Sequence, residues 1–378
     1  MENIPFKQIV DKFGTPLYVY HGEHIEKQYG KLKNAFENID SRIHYAMKAN
    51  ENIEILKIIK NLGGGIDAVS ANEVDRALGV GFKPEDIVFT PSCASVNEIV
   101  YALDKKVNVH IGAIEYFPLL GNKLKGKKVG LRINPGVSIG GNQKIATSHS
   151  DSKFGIPVIF LEKVKEYQKE FGFVVNSLHV HAGSNISNVE DLKNSIDNFF
   201  KYTTIFTDLE YLDVGSGLKI KYKEDDKEID LKSYAAHIKS KLEEYKLDLK
   251  IKIEPGKFLV GNSGYLVTTV NIIKQGYKKT FAGLNSGFNH LIRPMYYEAY
   301  HEIVNISNPG GKLKKYDIVG QLCEEDTFAY DRMLNELRIG DIVIIKSAGA
   351  YAASMAMDYN LRAKPKEIQF KNGKLYLM

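Results

Sequence analysis

The stretch from Arg42 to Val69, RIHYAMKANENIEILKIIKNLGGGIDAV, holds the unit that decides the fold. RIHYAM (Arg42–Met47) is apolar and too short for a helix, so it reads as a buried strand. In NIEILKIIKNL the residues Ile55, Leu56, Ile59 and Leu62 recur at three- and four-residue spacing, the signature of a helix with one buried face. Gly63–Gly65 end that helix, and IDAV (Ile66–Val69) follows as a second apolar strand. Two strands joined through a helix run parallel, because an antiparallel pair needs only a short turn.

The same alternation continues on the C-terminal side. Further strands are expected at IVFT (Ile87–Thr90), NVHI (Asn108–Ile111), VGLRIN (Val129–Asn134), SLHVH (Ser177–His181), YLDV (Tyr211–Val214) and KIKIE (Lys250–Glu254). VEDLKNSIDNFFKY is one of the helices between them. Eight such strands predict a (β/α)₈ TIM-type barrel; an open doubly wound sheet has the same periodicity and stays open as the alternative. After Lys257 the texture becomes β-rich, in GYLVTTVNII, KTFAGLN, YDIVGQL and DIVIIKS. The C-terminal EIQFKNGKLYLM predicts a hairpin at Asn372-Gly373. The expected organisation is a barrel over residues 24–257 and an antiparallel β-domain over 258–378, joined by the N-terminal strand PLYVY within 1–23. The long connection Pro135–Phe154, rich in Gly and Ser, reads as functional or mobile.

A chain of 378 residues with 44% hydrophobic and 26% charged residues is an ordinary globular composition. The 51 basic and 46 acidic residues nearly cancel, and the cluster KLKGKK (Lys123–Lys128) has no interleaved aromatics, so nucleic acid is not an expected partner. Cys93 and Cys323 stand far apart, which speaks against a disulfide framework and for a reducing compartment. No signal pattern or membrane-length apolar run is present, and a cytoplasmic location is expected.

In a barrel the reactive groups gather where the strands end at their C-terminal side. Those ends carry Lys48, Asp67 with Ser70, Arg132 with Asn134, His181-Ala-Gly-Ser184, Gly215-Ser216-Gly217 and Glu254-Pro-Gly256. Each is weak alone: a strand-end lysine is usually a surface charge, and G-x-G is an ordinary turn. Their placement on one rim is the signal, and glycines on the last strands suit a phosphate. His179 and His181 point to one side of a strand, but no matching Cys/His/Asp set accompanies them, so no metal is expected. One of the two is read as packed or hydrogen-bonded. In the β-domain, polar residues interrupt apolar segments at Arg293 and Tyr297, at Cys323-Glu324-Glu325 and at Tyr351.

Taken in order from Tyr45 to Tyr351, the motifs YAMKAN, LRINPG, SKFGI, HVHAGS, DVGSG, IEPGKFLV, HLIRP, VGQLCEEDTF and SAGAY resemble the fold-type III pyridoxal-phosphate decarboxylases. The resemblance implies an alanine racemase/ornithine decarboxylase-like fold and pyridoxal 5'-phosphate carried on Lys48. His181 would stack on its ring and Glu254 would pair with the ring nitrogen. Ser184, Gly215, Ser216, Gly217, Gly256 and Tyr351 would contact the phosphate, with Asp67 and Arg132 also on the cofactor side. Arg293, Tyr297, Lys257 and also Tyr351 would face substrate, while Cys323 and Glu324 would reach in from the second subunit of a homodimer, Cys323 as a proton donor. A distal ammonium suits Glu324 and a distal carboxylate suits Arg293, which implies meso-diaminopimelate as substrate and L-lysine as product. Sister decarboxylases acting on ornithine, arginine, carboxynorspermidine or a siderophore precursor are the rival, with a racemase or non-catalytic homologue behind them. Two departures concern the substrate side: Lys257 stands where the family often has Arg, and Asn185 where many members have Gln.

Overall fold

The computed structural model describes residues 3–136 and 152–378, so most of the Pro135–Phe154 connection lies outside the described residues. The first ten strands are β1 (Leu17–His21), β2 (Ser41–Ala46), β3 (Gly65–Ala68), β4 (Ile87–Phe89), β5 (Asn108–Ile111), β6 (Lys128–Asn134), β7 (Ile156–Pro157), β8 (Val174–His179), β9 (Tyr211–Asp213) and β10 (Lys250–Ile253). All except β1 share one sheet in the order β5-β4-β3-β2-β10-β9-β8-β6-β7, and β5 also pairs with β6. That last pairing closes eight parallel strands into a barrel and excludes the open doubly wound sheet.

The opening unit folds as its pattern dictates. The helix Ile53–Asn61 buries Ile55, Leu56, Ile58 and Ile59, and the Asn52 side chain accepts from the Glu54 N–H as its N-cap. Such a cap stabilises a helix by about 1 kcal/mol. The helix Val189–Phe200 is capped the same way by Asn188 and buries Leu192, Ile196, Phe199 and Phe200. β8 departs furthest from its expected bounds: it starts at Val174 and ends at His179, leaving His181 beyond the ladder. Its pairing with β6 begins at Lys128↔Val174, ahead of the SLHVH segment.

Inside the barrel the alternation of the strands places polar side chains. His44, His110, Ser177, His179, Asp213, Lys252 and Glu254 are all buried, while their neighbours Ile43, Val109, Leu178, Leu212, Ile251 and Ile253 pack in the apolar core. Gly130 makes room for this layer, since a Cβ there would collide with His110 and Ser177. The interior is therefore a buried polar layer rather than an aliphatic one.

The second sheet contains β1 and the later strands β11 (Gly264–Gln275), β12 (Thr280–Leu284), β13 (Ile303–Asn305), β14 (Leu313–Val319), β15 (Thr327–Asn335), β16 (Ile342–Ile345), β17 (Lys366–Lys371) and β18 (Lys374–Leu377). Its order is β15-β14-β12-β11-β1-β17-β18, with β16 bridging β11 and β13. The N-terminal strand thus joins this sheet, as its sequence suggests. The sheet is mixed: β1 pairs parallel with β17, and β12 with β14. Hairpin reasoning sees only neighbours in sequence, and these two pairs join segments separated by long connections. The β17–β18 hairpin turns on Asn372 (φ 51°) and Gly373 (φ 69°), both in the left-handed region that a tight primed turn requires.

Candidate active site

Lys48 leaves β2 in a short 3₁₀ turn, Met47–Ala49, and its Nζ lies 2.9 Å from Asp67 Oδ2 at the end of β3. The Lys48 side chain is 42% exposed, opening on the cavity, whereas Asp67 is 2% exposed. Burial acts to lower the Lys48 pKa, but the charges of Asp67, Tyr351 and Glu254 outweigh it and hold the ammonium above its usual range. Asp67 is raised by burial and by Glu254, with Lys48 opposing. The lysine is thus parked as an ion pair at the cavity wall, on the strand end where its motif placed it.

Glu254 directly follows β10 and lines the same cavity. Its Oε2 lies 2.9 Å from His179 Nε2. Burial drives the His179 pKa far down, so the imidazole is neutral and its Nε2–H donates to the carboxylate. His179 is therefore the hydrogen-bonded member of the His-x-His pair. Glu254 Oε1 has no partner. Beneath it, one oxygen each of Asp213 and Glu254 and a ring nitrogen of His110 lie within 4.8 Å of one another. Burial raises both carboxyls, while Lys48 and Arg132 pull Glu254 back towards the ionised form. Lys252, whose Nζ is 3.4 Å from the Tyr211 ring centroid, is lowered by burial to about 8.

His181 lines the cavity, and its Nδ1 accepts from the Ser216 N–H at 3.4 Å. Ser184, Ser216, Gly217 and Gly256 line it as well. Gly215 (φ 59°) and Gly217 (φ 106°) are obligatory: a Cβ at either would strike the carbonyl oxygen of Val180 or of Gly183. The backbone of two strand ends is thereby brought close together, leaving a shallow cradle of glycines and hydroxyls. Asp67, Arg132 and Gly215 stand behind the lining rather than in it, with the Arg132 guanidinium 4.6 Å from the Phe154 ring centroid. Ser70 serves as a helix N-cap, accepting from the Glu73 N–H, so its strand-end position has a structural use.

Arg293 and Lys257 bring two further cations to the same lining. Arg293 is buried with its Nε unpartnered, and its guanidinium lies about 6 Å from the rings of Tyr222, Tyr297 and Tyr351. Lys257 Nζ donates to Asn185 Oδ1 at 3.0 Å, so the two departures from the family pattern form one contact. Burial, with Arg293 and Lys219, lowers Lys257 to about 7. Tyr351 (φ 56°) is fixed by its N–H, which donates to the Ala49 carbonyl. Cys323 and Glu324 are exposed and do not line the cavity; the Glu324 carboxylate accepts from the Tyr359 hydroxyl at 2.8 Å. Tyr222, Lys219 and Asp226 do line it, although no strand-end pattern marked them.

Residues 22–261 match the family described as pyridoxal-dependent decarboxylase, pyridoxal binding domain. The chain belongs to that decarboxylase family. It is 35% identical to the diaminopimelate decarboxylase of Methanothermobacter thermautotrophicus, over 97% of this chain and 89% of that one. It is 34% identical to that of Aquifex aeolicus, over 100% and 92%. Among solved structures, the diaminopimelate decarboxylase of Helicobacter pylori complexed with L-lysine superposes with a TM-score of 0.90 at 31% identity, covering 98% of this chain and 95% of that one.

The site of this family member fits a pyridoxal phosphate group. The glycine cradle has no side chain to occupy the phosphate's place, and the free Oε1 of Glu254 supplies an acceptor for a ring N–H. The amine of Lys48 lines the same cavity. No helix among the described residues is long and apolar enough to cross a membrane.

Proposed function

We propose that the chain decarboxylates meso-diaminopimelate to L-lysine and carbon dioxide. The observation that carries this reading is one cavity of about 630 Å³ whose lining combines Lys48 and Glu254 with Arg293 and Lys257. The first pair suits the cofactor and the second suits a carboxylate at the far end of the substrate. A diamine-forming substrate such as ornithine has no such carboxylate, so a buried guanidinium with a spare donor would be left unsatisfied. Glu254 rather than an arginine beside the ring nitrogen speaks against a racemase.

The chemistry supplied by pyridoxal phosphate when bound is an electron sink for the substrate's α-carbon. Lys48 would hold it; Ser184, Gly215, Ser216, Gly217, Gly256 and Tyr351 would hold its phosphate; His181 would cover one ring face. Asp67 holds the Lys48 ammonium until the cofactor arrives. His179, donating to one oxygen of Glu254, fixes the carboxylate in place and favours its ionised form. Arg293 and Tyr297 orient the distal carboxylate and so fix which end of the substrate reacts. When the Cα–carboxylate bond breaks, the electron pair stays with the α-carbon and a proton must be delivered there. Cys323 is proposed as that donor and Glu324 as the partner of the distal ammonium, both from the second subunit of a homodimer. Their exposure in the single chain, away from the cavity, supports that reading. The enzyme is proposed to work in the cytoplasm, with a barrel over 24–257 and the β-domain over 258–378.

Carbon dioxide release from meso-diaminopimelate, assayed with and without added pyridoxal phosphate, tests the proposal. Cofactor-dependent release with L-lysine as product is expected. Release from ornithine but not from meso-diaminopimelate would transfer the chain to a sister activity, and racemised substrate without carbon dioxide would make it a racemase.

A pH prediction follows from Lys257. With its pKa lowered to about 7, it is charged below that pH and neutral above it. Carboxylate binding needs the charged form, so kcat/KM for meso-diaminopimelate is expected to fall as pH rises through about 7, by up to about tenfold per unit. Lys257→Arg, always protonated, should remove that limb of the profile. An unchanged limb in the variant would assign it to another group.

A further inference from the structure

The loop that follows β9 carries a residue that links Arg293 and Lys257. The Tyr222 hydroxyl accepts from Arg293 Nη2 at 3.0 Å. The Arg293 guanidinium and the Lys257 ammonium each lie 6.0 Å from the centroid of its ring. Two like charges sharing a buried pocket repel, and an aromatic face with a phenol oxygen between them offsets part of that repulsion. Because one guanidinium nitrogen is engaged by the phenol and Nε has no partner, Arg293 is held in one orientation with a donor in reserve.

Tyr222 is itself held. Asp226 Oδ1 accepts from Lys219 Nζ at 2.6 Å, and its Oδ2 accepts from the Tyr222 and Lys223 N–H groups at 2.8 and 3.1 Å. These contacts close residues 219–226 into a compact loop. The loop in turn docks on the segment after Arg293: Tyr222 meets His301 edge-on at 5.9 Å, and Lys223 Nζ lies 4.9 Å from the Tyr300 ring centroid. A barrel loop and a connection of the second sheet therefore build this part of the cavity together.

We propose that Tyr222 is a specificity-determining residue, which orients Arg293 and faces Lys257 so that the cavity accepts a substrate's distal carboxylate. Asp226 is the positioning residue that keeps Tyr222 there. The inference rests on reading the cavity as the site of an amino-acid decarboxylase. Its test compares two competitive inhibitors that differ only in that carboxylate, L-lysine, which keeps it, and cadaverine, which lacks it, beside meso-diaminopimelate as substrate, all on the cofactor-loaded enzyme.

In Tyr222→Phe the KM for meso-diaminopimelate is expected to rise about tenfold, the scale of a lost hydrogen bond to a charged group. The inhibition constant for L-lysine should weaken in parallel, while kcat stays within about twofold and the cadaverine constant and the cofactor absorbance do not change. Asp226→Asn should reproduce the pattern at smaller size. An unshifted KM in Tyr222→Phe overturns the inference, and so does a cadaverine constant that weakens in parallel, which would mark a general packing role. Wild-type enzyme that releases no carbon dioxide from meso-diaminopimelate overturns the parent reading instead, so the two failures are distinguishable.

Discussion

Lys48→Ala is expected to lower kcat/KM for decarboxylation by about 10⁴-fold or more, and to abolish the visible absorbance of cofactor attached to the protein. The magnitude is that of removing a covalent catalytic group. Structure adds a second consequence. The Lys48 ammonium is the closest countercharge of Asp67, whose carboxylate is buried and already raised by its surroundings. Without the lysine, Asp67 is expected to take up a proton rather than remain an unpaired buried charge. The fold should therefore survive, since protonation relieves the cost, and circular dichroism should match the wild type. Absorbance retained in Lys48→Ala would place the attachment elsewhere and overturn the assignment.

Complementation between subunits carries the other large expected effect. Cys323→Ala and Lys48→Ala homodimers should each be nearly inactive. Unfolded together and refolded as a mixture, they should recover up to about a quarter of the wild-type sites. Half of randomly assorted dimers are mixed, and in a two-fold symmetric mixed dimer one of the two sites has both residues intact. The prediction rests on the exposure of Cys323 and Glu324, neither of which reaches the cavity of its own chain. A mixture with no more activity than its parents would mean that Cys323 acts within its own chain or not at all. Sedimentation of the wild type as a monomer would remove the premise.

The barrel was legible because its strands and helices follow local rules. Ile55, Leu56 and Ile59 are buried on one helix face as their spacing predicts, and each barrel strand lies within a few residues of its apolar segment. The rim was legible for a related reason: a strand's last residue is fixed to the rim by the topology itself, so Lys48, His181, Ser216 and Glu254 all reach one cavity. Tyr222 was not legible, because it sits in an irregular loop whose path depends on the Asp226 hydrogen bonds. The mixed character of the second sheet was hidden for the same kind of reason, since β1 meets β17 across more than three hundred residues of chain.

RIHYAMKAN, and the alternation that begins there, determined on its own that this chain is a run of parallel strand-helix units with a lysine at the first strand's end. Motif order then carried the family. Closure of the sheet by the β5–β6 pairing is a long-range event, and only the tertiary structure decided between barrel and open sheet. It also decided charge. Whether Lys48 is paired, His179 neutral or Lys257 lowered to about 7 depends on burial and on neighbours from distant strands. Periodicity is a local property of the chain, whereas electrostatic environment is a property of the assembled interior.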